Sequence, residues 1–136
     1  MSVPDTAAAC ELEVLGVVRA WNDAFAKNDV ERYFRFVDPE VTVLTPASPY
    51  RVEGLAQDRE EFEFSLASGK THVNLFQMLH PRVQLCGDAA VVTYFWRGSL
   101  GRGEAATNGN FKETDVFAKR DGDWKLLHVH LSRATP

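Results

Sequence analysis

Two cysteines in 136 residues, Cys10 and Cys86, are too few for a disulfide framework or a thiolate metal centre, so both are expected as buried or half-buried free thiols. No apolar run approaches the length that spans a bilayer. The opening "MSVPDTAAACELEVLG" has neither a positively charged start nor a continuous apolar core. The expectation is a cytoplasmic protein with no membrane partner. An excess of basic charge is also missing: 15 Lys and Arg against 19 Asp and Glu, mixed along the chain, give a net charge of −4. That leaves no electrostatic footprint for nucleic acid. There is no HExxH or CxxC spacing, no nucleophile elbow and no phosphate-binding glycine loop, since "GRGEAATNG" lacks the strand before and helix after that a dinucleotide loop requires. No cofactor is expected. No repeat or long linker divides the chain, and 45% hydrophobic residues suffice for a single core, so residues 1–136 are expected as one domain.

What is present is periodicity. After Asp5 and Thr6, either of which suits a cap, Val14, Val18, Trp21 and Phe25 are spaced four, three and four, which predicts a long amphipathic helix ended by Asn28. "NDVERYFRFVD" offers Asn28 as an N-cap with Glu31 three residues on, predicting a short second helix stopped at Asp38-Pro39. "VTVLTP" and "RVEG" read as strands, and "LAQDREEFEFSLASG" as a third helix closed by Gly69. From His72 onward "HVNLFQMLHPRVQL", "AAVVTYFWRGSL", "GNFKETDVFAKR" and "DWKLLHVHLSR" predict four strands of an antiparallel meander. The turns fall at Gly87-Asp88, at a flexible loop over 101–110, and at Asp121-Gly122. Pro81 lacks a ladder donor and marks a bend, bulge or edge. Three helices gathered on one side of a sheet make an α+β fold.

Both faces of the last strands are apolar. If "RDGDWKLLHVHLS" is evenly extended, Trp124, Leu126, His128 and His130 share one side. In "VVTYFWRG" Tyr94 and Trp96 share a side, and Phe95 and Arg97 the other. Helices cover one face only. The side with Tyr94, Trp96, Trp124, His128 and His130 is read as the open one, available for a homodimer interface. The alternative is curvature that hides both faces. Phe95, Arg97, Glu113, Asp115, Val129 and Leu131 are read as lining a pocket on the helix-covered side, with Arg97 meeting Asp115 or Glu113 as a structural salt bridge or as ligand-binding groups. His128-x-His130 supplies only two imidazoles where catalytic zinc takes three ligands, so no metal is assigned.

In order along the chain, "DPEVTVLTPAS", "RVEGL", "HPRVQLCGDAAVVTYFWR" and "ETDVFAKRDGDWKLLHVHLS" resemble the association domain of calcium/calmodulin-dependent protein kinase type two, over roughly residues 10 to 134. The chain is read as a stand-alone relative, within the superfamily that also holds SnoaL-like cyclases and ketosteroid isomerase. The resemblance implies a cone-shaped, curved antiparallel sheet (cystatin-like, nuclear-transport-factor-two-like) with three N-terminal helices on its concave side and a small-molecule pocket between them. It implies self-association with itself as partner. The alternative is a SnoaL-like enzyme working by acid/base catalysis on a small hydrophobic carbonyl compound, with Asp115 as its catalytic carboxylate. Two pocket arginines that the resemblance leads one to expect are Asp115 and Leu131 here, and the general-base aspartate of an isomerase is Thr45.

Overall fold

The computed structural model describes residues 6–134. Helices α1 (Thr6–Ala26), α2 (Val30–Arg35) and α3 (Leu55–Ala67) pack against six strands: β1 (Val37–Leu44), β2 (Val52–Glu53), β3 (Val73–Cys86), β4 (Ala89–Leu100), β5 (Thr107–Arg120) and β6 (Asp123–Arg133). The strand order is β2-β1-β6-β5-β4-β3. β3 to β6 form the expected antiparallel meander, while β1 joins β6 in parallel, so the sheet is mixed at that seam. The sheet is curved and does not close.

The spacing that predicted α1 is the spacing that builds the core: Val14, Val18 and Trp21 are buried against Val92, Tyr94, Trp96, Phe111, Phe117 and Leu126 of the sheet. α1 begins at Thr6, and Asp5, the other capping expectation, lies outside the described residues. The cap of α2 is not Asn28 but Asp29, whose carboxylate accepts from Arg32 N. Asn28 instead sits in the left-handed region at φ 57°, and its amide clasps the edge strand by donating to Val73 O and accepting from Val73 N. Asp38-Pro39 does not stop α2, which ends at Arg35. It lies inside β1, at a register shift that accommodates the missing proline donor. The 101–110 loop is shorter than expected, because residues 107–110 already pair in β5.

Curvature has identifiable causes. Pro81 falls at a bulge between Leu79 and Arg82, with His80 held at φ 54°. Gly98 and Gly109 pair across β4 and β5. A Cβ on Gly98 would stand 2.8 Å from the Trp96 ring, and one on Gly109 2.8 Å from the Phe111 ring. The two rings lean over the glycines and stack at 4.1 Å. Cys10 is half-buried as expected, whereas Cys86 is exposed; both are free. Among the described residues no helix is long and apolar enough to cross a membrane.

Candidate functional site

The helix-covered face of the sheet carries a polar cluster at its centre. Register places Tyr94 opposite Glu113 and Val92 opposite Asp115, so these side chains share the inner face. Asp115 has no exposed surface, Tyr94 2% and Glu113 7%. The Tyr94 hydroxyl donates to Glu113 Oε2, stands 2.8 Å from Asp115 Oδ2 and accepts from Asn22 Nδ2 of α1 at 3.1 Å. Trp96 Nε1 donates to Glu113 Oε1 at 3.0 Å.

A phenol has one proton and two lone pairs, so it cannot donate to both carboxylates at once. With Asn22 filling one lone pair and Glu113 taking the proton, the contact to Asp115 is a hydrogen bond only if Asp115 is protonated. The electrostatics agree: burial, then the neighbouring Glu113 carboxylate, pushes the Asp115 carboxyl well above its ordinary range. No cation is paired with either acid among the described residues. Asp115 Oδ1 has no protein partner, which a neutral carboxyl bears at far lower cost than a carboxylate. Burial likewise raises the Tyr33 hydroxyl, followed by the charges of Asp58, Glu113 and Asp115. On α3, burial and Glu61 lift Asp58 to about 7. The interior is therefore acidic, proton-holding and ringed by Phe25, Tyr33, Phe62, Phe76 and Trp96.

Among the described residues the opposite face of β3 to β6 is covered by no helix, since α1 packs on β3 from the core side and α3 on β1 and β2. Cross-strand rows define this outer face. One runs Arg82, Thr93, Thr114, His130; the next runs Leu79, Phe95, Lys112, Ser132. Phe95 is 47% exposed and Leu75 57%. His128 also points outward, its Nδ1 2.7 Å from Thr42 Oγ1, and partial burial lowers its pKa, with His130 the next cause. An open recess of about 370 Å³ lies over these rows. A second, of about 420 Å³, lies between the β1–β2 connection and the end of β6.

These placements split both residue groups expected from sequence. Of the pocket group, Glu113, Asp115, Val129 and Leu131 do share the inner face, but Phe95 and Arg97 lie outside. Arg97 is exposed and pairs in register with Asn110, so it does not meet Asp115. Of the interface group, His128 and His130 face outward, whereas Tyr94, Trp96 and Trp124 are core residues. The cause in β6 is a bulge: Leu126 pairs with Phe117 but His128 with Val116, leaving Leu127 extra and reversing the phase between Trp124 and His128. In β4 the signal was available. Val92, Tyr94 and Trp96 form the more apolar phase, and the other contains Thr93 and Arg97. Asn22 went unnoticed because a lone asparagine on the core stripe of a helix carries no motif.

Helices on one face of a curved, open six-stranded sheet define a nuclear-transport-factor-2-like fold. A structure of that description from Pseudomonas putida KT2440 superimposes with TM-score 0.82 at 18% identity, covering 95% of this chain and 89% of that one, which speaks to the fold alone. The chain belongs to the calcium/calmodulin dependent protein kinase II association domain family, whose model matches residues 10–135. It is similar to the association domain of the Caenorhabditis elegans kinase (30% identity, TM-score 0.75, covering 94% of this chain and 98% of that one). It is similar also to the hub homology domain from Chlamydomonas reinhardtii (31%, TM-score 0.74, covering 93% and 98%). The delta subunit of the type II kinase from Oryctolagus cuniculus is 32% identical over 124 residues; the match covers 88% of this chain and 23% of that protein's length.

Proposed function

We propose that the chain is a self-associating domain whose contact surface is the helix-free face of the sheet. The observation that carries this reading is the outer face itself: Phe95 and Leu75 stand exposed beside half-buried Leu79, Val91 and Val116, and among the described residues no element packs over them. The relatives' descriptions as association domain and hub support a second copy of the chain as the occupant. Two identical faces meeting about a two-fold axis place Phe95 of each copy near the centre, where apolar anchors carry most of the affinity. Phe95→Glu is expected to weaken association by about thirtyfold or more while leaving the core untouched. Light scattering across a concentration series reads this directly, and a wild-type protein that stays monomeric at high concentration defeats the reading.

One observation favours a second reading, a SnoaL-like enzyme acting on a small carbonyl compound. Burial and Glu113 hold the Asp115 carboxyl in its protonated form, the state a general acid needs, and Tyr94 links it to Glu113 as a second carboxyl of the same buried cluster. On this reading Asp115→Asn lowers turnover of small carbonyl substrates by about a hundredfold. Unchanged turnover removes Asp115 from the chemistry.

A further inference from the structure

We infer that the contact between two copies is dissolved by acid, with His128 and His130 as the groups that switch it. The inference rests on the self-association reading, because both imidazoles belong to the face that a second copy covers. Register sets their places: His128 stands in the row Gln84, Val91, Val116, and His130 in the row Arg82, Thr93, Thr114. On the other side β1 sets Thr42 beside His128 and Leu44 beside His130. β6 lies two strands from β4 in the sheet order, which puts it about 10 Å from the line of Phe95 and inside a contact patch of about 800 Å² per partner. Both imidazoles are therefore covered.

A proton taken up there finds no counter-charge. The rows from Gln77–Arg97–Asn110 to Gln84–Val91–Val116–His128 hold Arg97, Lys112 and Arg82 and no carboxylate, and His80 at the β3 bulge borders the same recess. Glu113 borders it too, but its carboxylate oxygens are held by Tyr94 and Trp96 on the inner side. Toward the β1–β2 end, Glu53 pairs with Arg51 and Glu40 with Arg120, while Lys125 of β6 donates to the Arg35 carbonyl. The fixed cations are tolerable under a second copy because lysine and arginine carry their charge on long stems that reach the rim. Imidazole has no such reach. Neutral, it is a flat ring with one donor and one acceptor, and suits a covered face; protonated, it is a desolvated charge facing the same charges on the other copy. Burial already lowers the pKa of His128 within one chain, with His130 the next cause, and a second copy adds to both effects. The assembled form thus binds fewer protons than the separated copies. Association is full above the ordinary imidazole range, near pH 6.5, and is lost as pH falls through it.

Light scattering on dilution series of the whole chain, from pH 7.5 to 5.5 at fixed ionic strength, measures the effect. The dissociation constant is expected to rise about a hundredfold or more across that range, since one pH unit below its ordinary value each imidazole kept neutral contributes about tenfold. The slope of its logarithm against pH counts the protons taken up when two copies part, and about two to four are expected. His128→Gln and His130→Gln are each expected to lower that slope by about one to two, because each removes one site from both copies, whereas His72→Gln, which lies before β3, leaves it unchanged. A wild-type dimer whose affinity is the same at both ends of the range, or a full slope in both variants, overturns the switch and leaves self-association standing. Loss of the native circular dichroism spectrum at pH 5.5 would make the dissociation an unfolding and overturn it as well. A wild type that is monomeric at pH 7.5 and high concentration defeats the self-association reading itself.

Discussion

Tyr94→Phe is expected to cost about 3 kcal/mol of stability, a loss out of proportion to one oxygen atom. Hydroxyl deletions of this kind usually cost about 1 kcal/mol, because both partners re-enter water on unfolding and one partner is often reachable by solvent when folded. Here neither relief exists. The hydroxyl is the common partner of Asn22, Glu113 and Asp115, all buried. Its removal leaves the Asn22 amide with only the Val18 carbonyl, Glu113 with only Trp96 Nε1, and the Asp115 proton with no acceptor. Each orphaned buried group costs about 1–3 kcal/mol, and the sum reaches the stated figure even with partial relaxation. A melting point lower by roughly 10 °C follows for a domain of this size. A double-mutant cycle with Asp115→Leu isolates the shared bond: the pair of changes is expected to cost about 1–2 kcal/mol less than the sum of the single losses. A Tyr94→Phe protein within 0.5 kcal/mol of wild type would show that the three polar groups are not mutually dependent.

That Tyr94 lies at the centre of the molecule was legible in the sequence only in part. Element type came through because it depends on long periodic patterns: the four-three-four spacing of α1, and the alternating strands punctuated by Gly87, Asp121-Gly122 and Pro81. Face assignment came through less well, since it depends on single residues that break the period. Leu127 is one inserted residue, and it exchanges the sides of Trp124 and His128 without any change of composition that would announce it. Both faces of β6 are apolar, so hydrophobicity alone does not choose between them; in β4 the more apolar phase was readable, and choosing the other moved Tyr94 and Trp96 outward together. Asp29 displaced Asn28 as a cap because Asn28 is used for a long-range contact to Val73, and no local pattern reports such a contact. The parallel pairing of β1 with β6 is invisible for the same reason. Glu113 and Asp115 share a phase, and that was readable. What decides their chemistry, a tyrosine between them and no arginine near, depends on register.

The same proton accounting sets the response to pH, and its largest expected consequence is that the protein loses stability as the solution becomes alkaline. In the unfolded chain the Asp115 carboxyl releases its proton near pH 4, while in the folded chain burial and Glu113 hold it on to a much higher pH. Between those limits the folded state binds one more proton than the unfolded state. The derivative of unfolding free energy with pH is then negative, up to about 1.4 kcal/mol per unit for one proton. Stability is full below pH 4 as far as this group is concerned, and is lost as pH rises toward the folded value. Asp58, lifted to about 7, acts with the same sign and is spent only by about pH 8. His128 acts with the opposite sign, because its lowered pKa makes the folded state bind fewer protons, and its influence ends near pH 6.5. The tyrosine hydroxyls of Tyr33 and Tyr94 are raised well above 10 and stay neutral throughout. The window from about pH 8 to 9 therefore isolates Asp115. Urea unfolding across it is expected to show a steady fall for the wild type and a flatter profile for Asp115→Asn. The asparagine amide occupies the place of the neutral carboxyl, donates to the Tyr94 oxygen as that carboxyl does, and has no proton to lose. Between pH 8 and 9 the variant is thus expected to hold its stability while the wild type falls by up to about 1.4 kcal/mol. A wild type more stable at pH 9 than at pH 7, or an asparagine variant that keeps the same slope, would place the proton elsewhere than on Asp115.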